Sequence, residues 1–150
     1  MRHLPLTLAL LASSLALPTW ADSNPESPVG TWKTIDDKTG KQNSVVQIYE
    51  ENGELKGKVL KIIPVKPGDD PNGKCDKCPG DKKGKPIVGL TFLWGLKKDG
   101  EQFNGGQILD PEEGNVYSAK MKLTDGGKKL EVRGYLGIAL LGRTQTWLRD

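Results

Sequence analysis

Glycine and proline fall so often along this chain that a long helix has nowhere to form. All 19 glycines and eight of the ten prolines lie after residue 21. The longest later stretch free of both is Lys41–Asn52, which is rich in Val, Ile and Tyr. Inside a helix each Gly costs about 1 kcal/mol and each Pro about 3 kcal/mol relative to Ala. Short strands broken by Gly, Pro, Asn and Asp turns fit the pattern instead.

Eight such runs stand out: Gly30–Ile35, Ser44–Tyr49, Leu55–Ile63, Ile87–Leu96, Gln102–Leu109, Val116–Leu123, Leu130–Leu136 and Leu141–Leu148. In the third, the apolar phase shifts near Val59-Leu60, which predicts a bulge or a strand buried on both faces. The fourth shows one face of Val88, Leu90, Phe92, Trp94 and Leu96. The sixth sets Tyr117, Ala119, Met121 and Leu123 opposite Ser118, Lys120 and Lys122. Tight turns join most neighbours, so the expected fold class is all-β: one small antiparallel up-and-down barrel of about eight strands. Closure removes two open sheet edges, and eight strands enclose an interior that side chains fill or one small ligand occupies. A β-sandwich of the same strands is the alternative.

One connection is different. Pro64–Pro86 holds five prolines, four glycines and many charges, and it reads as one long irregular loop. Loops of that length are functional or disordered.

The chain opens with Met1-Arg2-His3, an apolar run from Leu4 to Leu17, and Thr19-Trp20-Ala21. This is the pattern of a cleaved signal peptide over residues 1–21, and it implies export, to the periplasm in a bacterium. Residues 22–28 read as a flexible polar leader and 29–150 as the barrel domain. Losing Arg2 with the signal lowers the formal charge from +3 to +2. The lysines are scattered, which gives no footprint for nucleic acid.

The only histidine, His3, leaves with the signal. A mature chain without histidine has no Ser–His or Cys–His pair and lacks the commonest general base and zinc ligand. No catalytic residue, cofactor or metal is therefore assigned. Cys75 and Cys78 form a C-x-x-C, which in an exported protein reads first as a disulfide. So short a ring contributes only about 2 kcal/mol in the chain-entropy model, shaping the loop tip more than the fold. Redox chemistry would need a low-pKa thiol at a helix start, and the sequence offers a loop instead. Asp69, Asp70, Asn72 and Asp76 cluster beside the pair. The distal Glu of a calcium loop is absent, so a solvated acidic turn is the plainer account.

Trp32, in Gly30-Thr31-Trp32, is placed to plug one end of the barrel, with Arg143 or Arg149 as a cation on its face. Trp32, Trp147 and Arg149 are thus expected to close the barrel. Arg133 and Tyr135 share one face of their strand. Facing inward, they would hold an acidic head group through charge-assisted bonds. Leu130, Val132, Gly134 and Leu136 form the opposite, apolar set, which favours the outward reading. On the last strand Arg143, Gln145 and Trp147 share a face. Gly137–Gly142 (GIALLG) is an unusually apolar turn, either buried at the barrel's mouth or exposed for a partner or a membrane.

Several of these runs together resemble one family of exported bacterial proteins, catalogued as domain of unknown function 2147. They are G-T-W-K near residue 30, Pro71–Cys78, Pro86–Leu90, Gly105–Pro111, Arg133–Tyr135 and Leu141–Trp147. The resemblance spans about Val29 to Arg149. It implies a periplasmic, single-domain, lipocalin-like barrel and supplies no activity or catalytic residue. A looser likeness is to intracellular lipid-binding proteins, which begin with a similar strand and carry Arg-x-Tyr late as a carboxylate clasp. This chain lacks their helix pair.

The expected function is a non-enzymatic barrel that binds a small amphipathic ligand with an acidic head group. Arg133, Tyr135, Arg143, Gln145 and Trp94 are the candidate contacts. Two other readings stand beside it. One is an envelope structural or interaction protein with a filled barrel, meeting a partner protein or membrane surface through Pro64–Pro86 or Gly137–Gly142. The other is a thiol–disulfide protein using Cys75 and Cys78.

Overall fold

A computed structural model describes residues 26–138 and 142–150. Residues 1–21, read above as a signal peptide, residues 22–25 of the stretch read as a leader, and the centre of the apolar turn, residues 139–141, lie outside the described residues. The strands are β1 (Gly30–Ile35), β2 (Gln42–Glu51), β3 (Glu54–Ile62), β4 (Thr91–Asp99), β5 (Gln102–Leu109), β6 (Val116–Thr124), β7 (Lys129–Tyr135) and β8 (Gly142–Arg149). Each pairs antiparallel with the next, and β8 returns to β1, so the sheet closes into the expected eight-stranded barrel.

Alternation decides which side chains fill it. Trp32 faces Val46, Val46 faces Val59, Phe103 faces Met121, Met121 faces Val132, and Leu130 faces Trp147. All of these are buried. Phe92 meets Trp147 across the interior with ring centroids 6.0 Å apart. At roughly 25 cal/mol per Å² of apolar surface removed from water, this filled interior is the main favourable term in the fold. The predicted irregularity in β3 is a bulge. Val45 pairs with Lys61 and Val46 with Val59, so Leu60 has no partner and turns outward, 40% exposed.

The fourth strand departs from the sequence reading. It starts at Thr91, because Leu90 N–H turns back to Ile87 C=O and Val88 stays exposed. Gly95, at φ 76°, breaks the alternation. Leu96 therefore points inward while Trp94 points outward, where its indole N–H donates to Gln107 Oε1 at 3.1 Å. A period-two pattern assumes an unbroken strand, and one left-handed glycine is enough to defeat it.

One end of the barrel is sealed by Arg149. Its guanidinium lies 4.3 Å from the Trp32 ring centroid. It donates to the carbonyls of Gly127 (2.8 Å), Ser27 (2.8 Å) and Val29 (3.3 Å). The Trp32 indole N–H donates to Pro28 C=O at 2.8 Å. Pro28 is fully buried, so the end of the stretch read as a flexible leader is built into this seal. Burial lowers the pKa of Arg149, yet a guanidinium stays charged under all ordinary conditions.

The long loop is docked, not splayed. A disulfide joins Cys75 and Cys78, and both cysteines are buried in the same apolar cluster as Leu109. Leu109 faces outward by alternation, so this tip covers the outer wall of β5. Cys75 N–H donates to Lys85 C=O at 2.7 Å and Gly84 N–H to Cys75 C=O at 2.8 Å, which ties the two limbs together. Gly114, in the β5–β6 turn, seats the tip. A Cβ there would lie 1.9 Å from Lys77 O, and its φ is 76°. Burial of the two cysteines thus anchors the tip to the core, while the bridge itself closes only the tip.

Two outcomes are expected. Arg149→Ala should lose about 1–3 kcal/mol in urea unfolding, since it strips charged donors from three carbonyls at the seal, and Arg149→Lys should restore little because an ammonium cannot reproduce the planar fork. Gly114→Ala should destabilise by about 1–3 kcal/mol. It should also raise proteolytic cleavage within Pro64–Pro86 before global unfolding; an unchanged cleavage rate would show that the tip is not held there.

Candidate functional site

The strand register places each candidate contact. Val132, Gly134 and Leu130 sit opposite Gln145, Arg143 and Trp147, so these six share the inner phase. Arg133 and Tyr135 therefore face outward. Arg133 Nη1 donates to Thr144 Oγ1 at 2.9 Å on that outer surface. Trp94 is also outside, with Lys82 Nζ of the long loop 4.6 Å from its ring centroid. Arg143 lies at the rim with its side chain 73% exposed, and its Nε is 3.4 Å from Asp37 Oδ2 in the β1–β2 turn. Gln145 Oε1 accepts from the Trp147 indole at 3.2 Å. The five residues do not converge. Arg143 and Gln145 take the inner phase near the mouth, while Arg133, Tyr135 and Trp94 occupy the outer wall.

An opening lies at the end opposite Arg149. There the β1–β2 turn, the long loop and the β5–β6 turn surround a cavity of about 490 Å³. β1 and β2 stand across the barrel from β5 and β6, so a cavity touching Asp36 and Asn43 on one side and Pro111 and Glu112 on the other spans the mouth. Ile62, Ile63, Val65 and Ile87 supply its apolar wall. Beneath the rim the Thr34 hydroxyl is buried and hydrogen-bonds Asn43 Oδ1 and Ser44 Oγ. Below that level the interior is filled by side chains. A smaller cavity of about 290 Å³ sits at the sealed end, beside Pro28, Leu55, Leu96 and Phe103.

Charges of both signs line the mouth: Lys66, Lys74 and Lys77 against Asp36, Asp69, Asp70, Asp76 and Glu112. Three of the carboxylates are already engaged. Asp36 Oδ1 accepts from Lys38 N–H and Thr39 N–H. The Thr39 N–H is the main reason its pKa is lowered, and Lys66 adds to the effect. Asp69 Oδ2 accepts from Val65 N–H at 2.9 Å and Lys66 N–H at 3.1 Å, and Asp70 Oδ1 from Asn72 N–H at 2.8 Å. Asp36 and Asp70 thus form Asx turns, while Asp69 reaches back to tie the start of the long loop to itself. Among the described residues no three acidic, Cys or His side chains gather as a metal would require.

The mouth's own residues escaped the sequence reading. Ile62, Ile63, Val65, Lys66, Lys74 and Ile87 carry no motif. Their signal was indirect: a long loop between two strands, entered and left through β-branched side chains.

The comparisons agree with this geometry. The family model for "Uncharacterized protein conserved in bacteria (DUF2147)" matches residues 30–149. No curated protein matches the chain. Among solved structures the chain is similar to protein HP1028 from the human pathogen Helicobacter pylori, described as belonging to the lipocalin family. The TM-score is 0.68 at 22% identity, over 81% of this chain and 82% of that one, a likeness of fold. The chain thus belongs to the DUF2147 family and folds as a lipocalin-like barrel.

Proposed function

We propose that this protein is an exported, periplasmic, non-enzymatic binding module that holds a small amphipathic ligand at the barrel's mouth. The observation that carries the reading is the cavity of about 490 Å³, apolar on one wall and charged at its rim, set above a filled interior. Ligand sites are typically concave, mostly apolar and of a few hundred Å³, with a few polar groups that fix orientation. The apolar part of the ligand rests on Ile62, Ile63 and Ile87. An acidic group in its head is met by Lys66, Lys74 and Lys77. Among the described residues no ion pair engages these lysines, whereas Asp36, Asp69 and Asp70 are committed to backbone N–H groups. The formal balance of the lining, three lysines against five carboxylates, also accommodates a cation beside the acid, as in a zwitterionic head.

Export rests on the signal-peptide pattern of residues 1–21. The non-enzymatic reading rests on the lack of histidine after His3. A second reading has its own support: a barrel packed with Trp32, Trp147, Leu93 and Leu96 also suits a structural envelope protein that meets partners through its outer surface.

Native mass spectrometry of delipidated protein with dodecanoic acid, a lysophosphatidylethanolamine and dodecanol separates the two. Adducts are expected for the first two and weaker ones for the alcohol. Replacing Lys66, Lys74 and Lys77 together by Ala should weaken binding about tenfold, since exposed charge contacts are each worth roughly 0.2–1 kcal/mol. Arg133→Ala should change nothing. A wild-type protein that binds none of the three would favour the filled structural barrel.

A further inference from the structure

The wall of the barrel is zipped unevenly. β7 and β8 share a register of seven residue pairs and β1 and β2 one of six, yet β1 and β8 meet only through Trp32–Arg149 and Lys33–Leu148. Towards the mouth, Thr34 and Ile35 register with β2 alone, and Gly142–Trp147 register with β7 alone. Asp150 N–H donates to Thr31 C=O, and Leu148 is the next residue facing β1. By alternation the backbone groups of Thr146 and Thr144 point to the same side, where no β1 residue registers with them. The sheet is closed at the sealed end and parts at the mouth.

We propose that this β1–β8 seam is the lateral opening through which the ligand's apolar chain enters and leaves, latched by the Arg143–Asp37 ion pair. The inference rests on the mouth-binding reading above. The pair joins β8 to the β1–β2 turn across the parted strands, with Nε and Oδ2 3.4 Å apart and both side chains well exposed. Such a pair is weak and screened by salt, which suits a contact that must break often. Its neighbour Asp36 lines the mouth cavity, which puts the latch one residue from the cavity's edge. Leu136 and Ile138, each 58% exposed at the end of β7, offer an apolar step beside the opening.

The test has a ligand-dependent arm and a ligand-free arm. Stopped-flow fluorescence with 11-(dansylamino)undecanoic acid should show association and dissociation rates both rising about two- to five-fold in Asp37→Asn. The charge-swapped Asp37→Arg/Arg143→Asp protein should return to wild-type rates, and added salt should carry wild type towards the single variant. Unchanged rates, or a change in dissociation alone, would overturn the latch. In the free protein, amide hydrogen exchange should be much faster at Thr144 and Thr146 than at Val132. Slow exchange there with the probe still binding sinks the opening and spares the binding site. Fast exchange with no probe binding sinks the binding reading and, with it, the seam's role as a ligand route.

Discussion

The barrel is held shut by one cation among carbonyls. Arg149 comes from the end of the last strand, and everything it touches comes from elsewhere: Trp32 on β1, Ser27 and Val29 before it, and Gly127 in the β6–β7 turn. A closed sheet must join its first and last strands, and that contact is the most expensive in chain entropy because the whole barrel lies between them. Here the ladder itself contributes only two residue pairs. The guanidinium makes up the deficit. Its planar fork serves three carbonyls from separate segments, and its face lies on an indole. Without it the first and last strands would be joined by two residue pairs, the Asp150–Thr31 hydrogen bond and the packing of Trp32 and Trp147 in one core.

The same arrangement makes the two ends of the molecule unlike. At the Arg149 end, turns are short and Pro28 and Trp32 plug the opening. At the other end the chain spends its long connection, and the strands β1 and β8 separate. Rigidity and access are thus assigned to opposite poles. The apolar interior between them is packed with buried side chains, and at the rim above it Ile62 and Ile87 are apolar while the carboxylates of Asp36, Asp69 and Asp70 accept backbone N–H groups that fix the loops.

Local rules explain which parts were legible in the sequence. All eight strands were, because Gly and Pro left no alternative, and the phase slip at Val59-Leu60 correctly marked a bulge. The outward turn of Arg133 and Tyr135 followed from Leu130, Val132 and Gly134 between them. Trp94 was misplaced because Gly95 adopts a backbone conformation that composition alone does not announce. Leu109 is buried although it faces outward, since the long loop covers it, and Pro28 is buried at a seal where Arg149, from the far end of the chain, donates to its neighbours Ser27 and Val29. Such burials are tertiary facts with no local signature.

The long loop shows how irregular chain can still build a wall. A stretch between Ile62 and Thr91 cannot satisfy its backbone through a ladder, so it would ordinarily remain solvated and mobile. This one is constrained at three levels. Aspartates close local turns, the Lys74–Pro86 bridge and the Cys75 hydrogen bonds draw its limbs together, and the disulfide tip seats on Gly114 and the outer side of β5. Each constraint removes freedom that binding would otherwise have to remove. The wall at the mouth is thus already in place, and the seam between β1 and β8 has the fewest backbone pairs of any strand neighbours in the sheet, with the exposed Arg143–Asp37 ion pair beside it.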